Sequence, residues 1–322
     1  MYTGEPRDWS EVASEYLELM PDAESIAVVT DTAEPGGGIG RVARNLAAEF
    51  SSRDKETKLI VMKDKVGNDD ASKLQDKGVE IVEIERSNRV DPRELRRISG
   101  KLDELDVDWI NTHGFYLSLA AIMSDTPIIK TYHAHVTVPS VILDSPLSWI
   151  RFVLQDAPSI WLAEERVSIS KYAAKQMKRF YASSSHIIPN GVDTNRFQPM
   201  ETDYREEIGV PEDAFLVGSL SALKKYKNQE RTLEVFTEQH AHREDAYLVI
   251  GGSGPRRKHL EKKAEKLGIA EKTRLPGFIP DEKLPEFYNS LDLFIYPSKW
   301  EGFGLPPQEA KATGRSLIIC SD

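Results

Sequence analysis

Short apolar runs alternate with polar segments along the whole chain. The first run, SIAVVTD, precedes a glycine-rich stretch, TAEPGGGIG, and then RVARNLAAEFSS, where Val42, Leu46 and Phe50 recur at helical spacing. A strand, a glycine loop and a helix in this order are typical of the start of a βαβ unit. Further runs follow: TKLIVM, VEIVEI, VDWINTH, TPIIKTYH, ERVSIS and SSHIIPN. This alternation predicts a mostly parallel sheet covered by helices.

A second series of the same kind begins after residue 203. The turn-rich stretch NGVDTNRFQPMETD, residues 190–203, indicates a linker between domains. Beyond it the predicted strands are AFLVGSLSAL, AYLVIGG, KTRLPGF, LDLFIYPS and RSLIICSD. We therefore predict two doubly wound α/β domains, residues 1–195 and 196–322. Ligands of such domains bind at the carboxyl ends of the strands.

Composition and charge narrow the function classes. The net charge of −10 argues against a protein that binds nucleic acid non-specifically. One cysteine, Cys320, allows no disulfide within the chain and no cysteine-based metal site. The amino terminus lacks the apolar core of a signal peptide, and the stretch FYLSLAAIM is too short to span a bilayer. We expect a cytoplasmic protein, with peripheral contact to the inner membrane face left open.

The glycine loop EPGGGIGR fits neither common phosphate-binding motif. A dinucleotide fingerprint starting at Gly36 would need glycine where Arg41 stands, and the phosphate-binding loop of nucleotide hydrolases would need GKS or GKT instead of IGRV. The glycines nevertheless allow close backbone approach at a helix start, where N–H groups favour an anion. The alternative is a surface loop that only caps the helix.

The segment EGFGLPPQEA places two carboxylates around a helix start. Its Pro-Pro pair suits the first helical positions, which puts Glu309 in the first turn and Glu301 one loop earlier. Gly302 and Gly304 let a ligand lie against the backbone, and carboxylates accept hydroxyl donors. The segment thus suits a nucleotide-sugar. Alternatively, Glu309 complements its own helix dipole and Glu301 is a solvated loop residue.

These motifs carry a family resemblance. EGFGLPPQEA resembles the E-x7-E signature of retaining glycosyltransferases of family 4, and GGGIGRVARNLA, IIKTYHAH, SIS, IIPNGVDTNRFQP and LVIGGSGP fall in the family's order. The resemblance implies a GT-B fold with two facing Rossmann-like domains, the first on the acceptor side and the second on the donor side. It further implies a UDP-sugar or GDP-sugar donor, a carbohydrate or lipid-linked acceptor, and neither metal nor cofactor.

The resemblance also implies roles for individual residues. Glu301 would hold the hydroxyls of the donor sugar, Glu309 those of the ribose, and Lys227 the diphosphate. His133 would contact the transferred sugar; it is preferred to His135 by motif position alone. Glu301, His133 and Lys227 form the implied catalytic set. The other implied donor-binding residues are Gly38, Ile39, Gly252, Phe278, Ile279, Gly302, Phe303, Gly304 and Leu305. The expected reaction is front-face hexosyl transfer with retention of configuration, in which the leaving diphosphate helps deprotonate the acceptor.

Two features depart from the family pattern. Ala222 stands where the family has an arginine on the diphosphate, and Lys224 or Lys225 would be the replacement charge. The chain also ends just after a strand, so we expect a smaller second domain with an exposed edge and a hinge at 190–203 that proteases cut first. Two alternatives stay open: a GT-B phosphorylase or nucleotide-sugar epimerase, and a non-catalytic module that binds sugar nucleotides.

Overall fold

The chain divides into two compact units. The structure, a computed structural model, describes residues 4–34, 37–86, 91–134, 146–240 and 242–319, with only the backbone described at 146–152 and 155. The first unit is Arg7–Gly191, and the second begins at Val192 and also includes residues 4–6. Three residues of the sequence argument, Gly36, His135 and Cys320, lie outside the described residues.

The first unit is a parallel sheet with helices between its strands. Over the described residues seven strands occur in the order β3-β2-β1-β4-β5-β6-β7, and every pairing is parallel. The strands are β1 (Ser25–Thr30), β2 (Glu56–Met62), β3 (Val79–Ile84), β4 (Trp109–His113), β5 (Ile128–Tyr132), β6 (Glu165–Ser168) and β7 (His186–Ile187). The helices are α1 (Trp9–Glu18), α2 (Gly38–Ser51), α3 (Asn68–Asp76), α4 (Pro92–Asp103), α5 (Tyr116–Ala121), α6 (Pro146–Trp161) and α7 (Lys171–Tyr181).

The second unit repeats this plan on a smaller scale. Its described residues form five parallel strands in the order β10-β9-β8-β11-β12. The strands are β8 (Phe215–Leu220), β9 (Ala246–Gly251), β10 (Thr273–Gly277), β11 (Leu293–Tyr296) and β12 (Ser316–Ile319). The helices are α8 (Tyr204–Glu207), α9 (Gln229–Gln239), α10 (Arg257–Lys266), α11 (Leu284–Asn289) and α12 (Leu305–Ala312).

The second sheet is buried on both faces, which explains its continuous apolar strands. Leu216 belongs to the core on one face, whereas Val217 belongs to the core on the other. Phe294 and Ile295 of β11 divide between the two cores in the same way. Because successive side chains of a strand point to opposite faces, a strand buried on both sides has no polar alternation.

The predicted fold class is confirmed. Each predicted strand is present, and both strand orders change direction beside the first strand of their unit, as in doubly wound folds. That change occurs between β1 and β4 in the first unit and between β8 and β11 in the second. Among the described residues, no helix combines the length and apolarity needed to cross a membrane.

Candidate functional site

In the second unit, residues 297–304 connect the end of β11 to the start of α12. Strand β11 ends at Tyr296, and α12 begins at Leu305 directly after Gly304, whose φ is 90°. Residues with a side chain adopt this left-handed conformation only at a cost, so the glycine determines where the helix begins. Pro306 and Pro307 then lie in the first turn, where a missing N–H group leaves no hydrogen bond unmade. Phe303, just before the helix, is buried.

Lys227, Tyr296 and Glu301 form a hydrogen-bonded triad beside this segment. The Lys227 ammonium lies 2.5 Å from Glu301 Oε2 and 3.1 Å from the Tyr296 hydroxyl. The same hydroxyl donates to Glu301 Oε2 at 2.8 Å. The Lys227 and Glu301 side chains are only 12% and 20% exposed. The triad therefore holds a positive and a negative charge in a mostly enclosed position at the carboxyl end of β11.

Electrostatics keep the Lys227 amine charged. Burial by itself lowers the pKa of Lys227, but the oxygens of Tyr296 and Glu301 outweigh burial, and the pKa lies above its ordinary range. Burial, with the nearby Glu301 charge, also raises the pKa of Tyr296, so its hydroxyl keeps its proton. Tyr296 can therefore donate to Glu301 at any physiological pH.

The loop that carries Lys227 is attached to the loop after β11. Lys227 ends a 3₁₀ turn, Lys225–Lys227, that follows β8. The Lys299 N–H donates to the Tyr226 carbonyl oxygen at 3.0 Å. Since β8 and β11 are paired in parallel, their carboxyl ends lie side by side. This is the point where the strand order reverses, the usual ligand position in a doubly wound domain.

Glu309 is a buried acid held by another tyrosine. Its side chain is 2% exposed, and the Tyr288 hydroxyl donates to Glu309 Oε2 at 2.7 Å. The prediction that Glu309 lies in the first turn is wrong by about one residue: α12 begins at Leu305, which makes Glu309 its fifth residue, just beyond the first turn. The helix starts earlier because Gly304, not the Pro-Pro pair, defines its first position.

Both acids are anchored to one core. Tyr288 and Tyr296 belong to the same hydrophobic cluster on one face of the second sheet. The Phe294 ring lies between them, with ring centroids 5.5 Å from Tyr288 and 6.1 Å from Tyr296. The interpretation of Glu301 as a solvated loop residue is wrong, because the triad partly encloses it.

Three other predicted donor-binding residues differ in how they pack. A Cβ on Gly252, at φ 117°, would lie 1.9 Å from the Ser221 carbonyl oxygen, so the loops after β8 and β9 pack directly on this glycine. The Ile279 side chain is buried in the core, whereas Phe278 is 54% exposed. Backbone contact with a ligand at Phe278 and Ile279 stays a prediction.

The loop after β8 lacks the family's arginine. Ala222 is exposed, and so are Lys224 and Lys225. The nearby Arg256 pairs with Glu230 on α9. Among the side chains described on this loop, the Lys227 ammonium is the cation that contacts Glu301.

In the first unit, His133 belongs to a buried chain of hydrogen bonds. His133 Nε2 lies 3.1 Å from His113 Nδ1, and His113 Nε2 lies 2.5 Å from Asn111 Oδ1. Asn111 Nδ2 donates to Thr131 Oγ1 at 3.0 Å, which also bonds the Tyr16 hydroxyl at 3.0 Å. His113 lies opposite Thr131 in the β4–β5 register, so both histidines project from the same face of the sheet.

The protons along this chain can be assigned. Asn111 Nδ2 faces the Ile129 carbonyl oxygen, which can only accept, so Asn111 Oδ1 accepts from His113 Nε2. Burial, with the nearby Lys130 charge, lowers the pKa of His113 to about 3, which leaves its Nδ1 as an acceptor at neutral pH. His133 must then donate from Nε2. The interior of the unit thus sets the direction of the hydrogen bond between His113 and His133, which is itself buried.

The glycine loop has both a packed and an open glycine. A Cβ on Gly40 would lie 2.7 Å from the Thr32 carbonyl oxygen, so α2 touches the loop after β1 there. A Cβ on Gly38 would meet no atom within 4 Å. Gly38 is exposed and Ile39 half-buried. The fold explains glycine at position 40 but not at position 38.

One group of carboxylates in the described part of the chain could reach a common metal ion. Asp203, Glu207 and Glu286 have ligand atoms within 4.8 Å of one another. The Lys283 ammonium lies 2.8 Å from Glu207 and 2.6 Å from Glu286. The Lys283 ammonium therefore already supplies positive charge to two of these carboxylates. None of the three carboxylates is a predicted site residue.

Comparison with known proteins identifies both units. The family model for Glycosyltransferase Family 4 matches residues 36–196, and that for Glycosyl transferases group 1 matches residues 200–322. The chain is 30% identical over 162 residues to the O-antigen biosynthesis glycosyltransferase WclY of Escherichia coli, a match that covers 50% of this chain and 44% of WclY. The chain therefore spans less than half the length of this relative. It is 29% identical over 166 residues to the lipopolysaccharide core mannosyltransferase LpsB of Rhizobium meliloti, covering 46% and 47%.

Solved structures show the fold. Anabaena HepE in complex with UDP-glucose superposes with a TM-score of 0.74 at 17% identity, over 92% of this chain and 80% of that one. WaaG, a glycosyltransferase of lipopolysaccharide biosynthesis, superposes with a TM-score of 0.69 at 18% identity, over 91% and 80%. The predicted GT-B fold is confirmed.

Sequence reasoning missed the residues that position the site. Tyr296 and Asn111 lie inside predicted strands, and Tyr288 belongs to no motif. His113 had a visible signal, since WINTH and KTYH are strand candidates that both end in histidine. Neighbouring parallel strands bring such ends together, so the pair could have been predicted.

Proposed function

This chain belongs to glycosyltransferase family 4, and we propose from that premise that it transfers a hexosyl group from a nucleotide-diphospho-sugar to an acceptor hydroxyl with retention of configuration. The carbohydrate-biosynthetic names of its relatives support this class of reaction. The UDP-glucose bound by HepE supports a UDP-sugar, and a GDP-sugar is the other donor class to test.

The observation that carries the proposal is the triad of Lys227, Tyr296 and Glu301. It holds a protonated amine at the carboxyl end of β11, beside a glycine-containing loop that leads into α12. A diphosphate can take over the bond that Lys227 now makes to Glu301. Glu301 is then released to accept from the sugar hydroxyls, and Tyr296 stays as a fixed donor.

The other residues complete the donor site. Glu309, held by Tyr288, accepts from the ribose hydroxyls. The backbone amides of Phe303, Gly304 and Leu305 bind the sugar or the diphosphate near the start of α12, where the helix dipole favours an anion. His133, which is buried and hydrogen-bonded to His113, is proposed to contact the transferred sugar from the family resemblance alone.

Catalysis on this proposal rests on positioning and charge. The leaving diphosphate takes the acceptor proton as the new glycosidic bond forms on the same face, and Lys227 stabilises the charge that develops on the diphosphate. We propose no metal or cofactor, so turnover should persist in excess chelator. The acceptor is proposed to be a carbohydrate or lipid-linked hydroxyl.

Thermal-shift measurements with UDP-, GDP- and ADP-sugars test the proposal. One donor class should raise the melting temperature of the full chain, and Lys227→Met and Glu309→Gln should abolish most of that shift. Glu265→Gln, an exposed charge change on α10, is the matched control. Release of free nucleoside diphosphate with an acceptor panel then measures turnover. Binding without turnover would favour the non-catalytic module, and sugar-1-phosphate made from a disaccharide and phosphate would favour a phosphorylase.

A further inference from the structure

The side-chain amide of Gln229 lies at the centre of a hydrogen-bonded network in the second unit. Gln229 is the first residue of α9 and is only 3% exposed. Its Oε1 accepts from the Ser219 hydroxyl at 2.9 Å and from the Thr232 hydroxyl at 3.1 Å. Its Nε2 donates to the Ser221 hydroxyl at 2.6 Å. Four polar side chains therefore meet where β8 ends and α9 begins.

The direction of each hydrogen bond in this network can be assigned. Ser219 and Thr232 are completely buried, and Gln229 is the partner that the described residues give to both hydroxyls. A buried hydroxyl without an acceptor costs free energy, so both hydroxyls donate to the amide oxygen. The amide nitrogen then faces Ser221. Because that nitrogen can only donate, the Ser221 oxygen is the acceptor.

The proton of the Ser221 hydroxyl is therefore directed away from Gln229. It points to the carbonyl oxygen of the next residue, Ala222, and the two oxygens are 3.2 Å apart. Hydrogen bonds between oxygens are usually about 2.5–3.0 Å long, so this bond is weak. Ser221 is half-buried and Ala222 is exposed. A phosphate oxygen that reached this position would accept the proton more strongly than the carbonyl does.

Ser221 lies at the carboxyl edge of the second sheet, next to the strand that leads to the triad. Gly218 of β8 lies opposite Phe294 of β11 in the parallel register. Three residues further along both strands, Ser221 is level with Pro297, the first residue of the loop that carries Glu301. The serine therefore belongs to the same edge of the sheet as the proposed donor site.

The loop after β9 fixes the backbone of Ser221. The Ser221 N–H donates to the Gly251 carbonyl oxygen at 3.2 Å. Gly252 packs so closely that a Cβ on it would lie 1.9 Å from the Ser221 carbonyl oxygen. Since both its backbone and its side chain are held before a ligand arrives, the hydroxyl loses little conformational freedom on binding.

We propose that Ser221 is a further donor-binding residue, whose hydroxyl donates to the diphosphate of the nucleotide-sugar. The inference rests on the proposed function and concerns the position where this chain departs from the family pattern. With alanine at position 222, the diphosphate lacks the expected arginine. The Ser221 hydroxyl supplies one hydrogen bond there, and Lys227 supplies the charge.

The exposed lysines of the same loop differ from Ser221 in one respect. Lys224 and Lys225 are both exposed, so water and salt screen their charges. The Ser221 hydroxyl is instead oriented by the buried amide of Gln229. Ser221 should therefore contribute a directed hydrogen bond that the two lysines do not replace.

Calorimetric titration of the full chain with UDP and with GDP tests the proposal. Ser221→Ala should weaken binding of the preferred diphosphate about ten-fold, as expected for one hydrogen bond to a charged group. Ser221→Thr keeps the hydroxyl and should bind like the natural protein. Gln229→Met should weaken binding in the natural background but not in Ser221→Ala, because the amide acts through this hydroxyl. Ser316→Ala, at the exposed start of β12 on the opposite edge of the sheet, is the matched control.

The outcomes separate this inference from the proposed function. If a diphosphate binds the natural protein and is lost in Lys227→Met, but binds Ser221→Ala unchanged, the inference is wrong and the proposed function stands. Ser221→Thr binding as weakly as Ser221→Ala also overturns the inference, since the hydroxyl is then not the group that matters. If neither UDP nor GDP binds the natural protein, the proposed donor class fails as well. Melting curves of the free variants check that the second unit is folded.

Discussion

Replacing Glu301 by glutamine tests the triad most directly. Glutamine has nearly the same shape as glutamate and can still accept from Tyr296, but it removes the negative charge that lies 2.5 Å from Lys227 Nζ. The amine then remains mostly enclosed without its anionic partner. We expect the free protein to lose stability and the site to gain affinity for an anion.

The size of the stability loss follows from burial. Removing one partner of a fully buried ion pair costs about 3–5 kcal/mol. The Lys227 and Glu301 side chains are 12% and 20% exposed, and Lys227 keeps its bond to Tyr296. Water can therefore compensate in part, and we expect a loss of about 2 kcal/mol. For a domain of this size, that lowers the melting temperature of the second unit by roughly 6–8 °C.

Glu301→Gln should lower the stability of the free protein but raise its affinity for a nucleoside diphosphate. In the natural protein a nucleoside diphosphate must displace Glu301 from Lys227, whereas in Glu301→Gln the amine has no anionic partner to give up. UDP or GDP without a sugar should therefore bind the variant more tightly, by about ten-fold if 1.4 kcal/mol of the lost pair is recovered. Binding to the intact nucleotide-sugar should improve less, because the sugar loses an acceptor.

Calorimetric titration and thermal melts with UDP and GDP measure both effects. Glu265→Gln is the control for an exposed charge change, and Lys227→Met/Glu301→Gln should lose the affinity gain. If Glu301→Gln binds both diphosphates as the natural protein does, or more weakly, Lys227 is not the group that meets the diphosphate and the reasoning fails.

Further predictions concern three other parts of the molecule. Tyr288→Phe removes one donor from buried Glu309, so it should cost about 1–3 kcal/mol in urea unfolding and weaken donor binding. His113 has a folded pKa of about 3, below its unfolded value of about 6.5, so its contribution to stability is complete above pH 6.5 and is lost as pH falls toward 3, at about 1.4 kcal/mol per pH unit. His113→Gln should flatten the fall in unfolding free energy between pH 6 and 4. Gly38→Ala meets no neighbouring atom and should leave the melting temperature unchanged or slightly raised while lowering kcat/KM, whereas Gly252→Ala clashes with backbone at positive φ and should cost about 2 kcal/mol or more. Equal stability losses in the two alanine variants would contradict the structural distinction between these glycines.

The sheet architecture could be predicted because its signal is local. A strand buried on both faces must be apolar at successive positions, and a helix on such a sheet must repeat its apolar residues every three to four positions. SIAVVT and LFIY became strands as predicted, and RVARNLAAEF became the helix that follows the glycine loop. Motif spacing likewise located Glu301 and Glu309 on either side of a helix start.

The partners of those acids could not be predicted in this way. Tyr288 and Tyr296 are eight residues apart and belong to different elements, and only packing around Phe294 brings each hydroxyl to its carboxylate. The error in placing Glu309 has a similar origin. Proline tolerates several positions of a first turn, whereas the backbone angle at Gly304 selects one.

The amino-acid order by itself determined the two α/β units, the strand ends and the acidic, glycine-containing segment, because these depend on residue type and on spacing over a few positions. Tertiary structure alone decided which groups form hydrogen bonds and ion pairs with one another. Lys227 and Glu301 are 74 positions apart, and Tyr16 and Thr131 are 115 apart. Hydrogen bonds act over about 3 Å, and chain folding, not sequence distance, brings such atoms together.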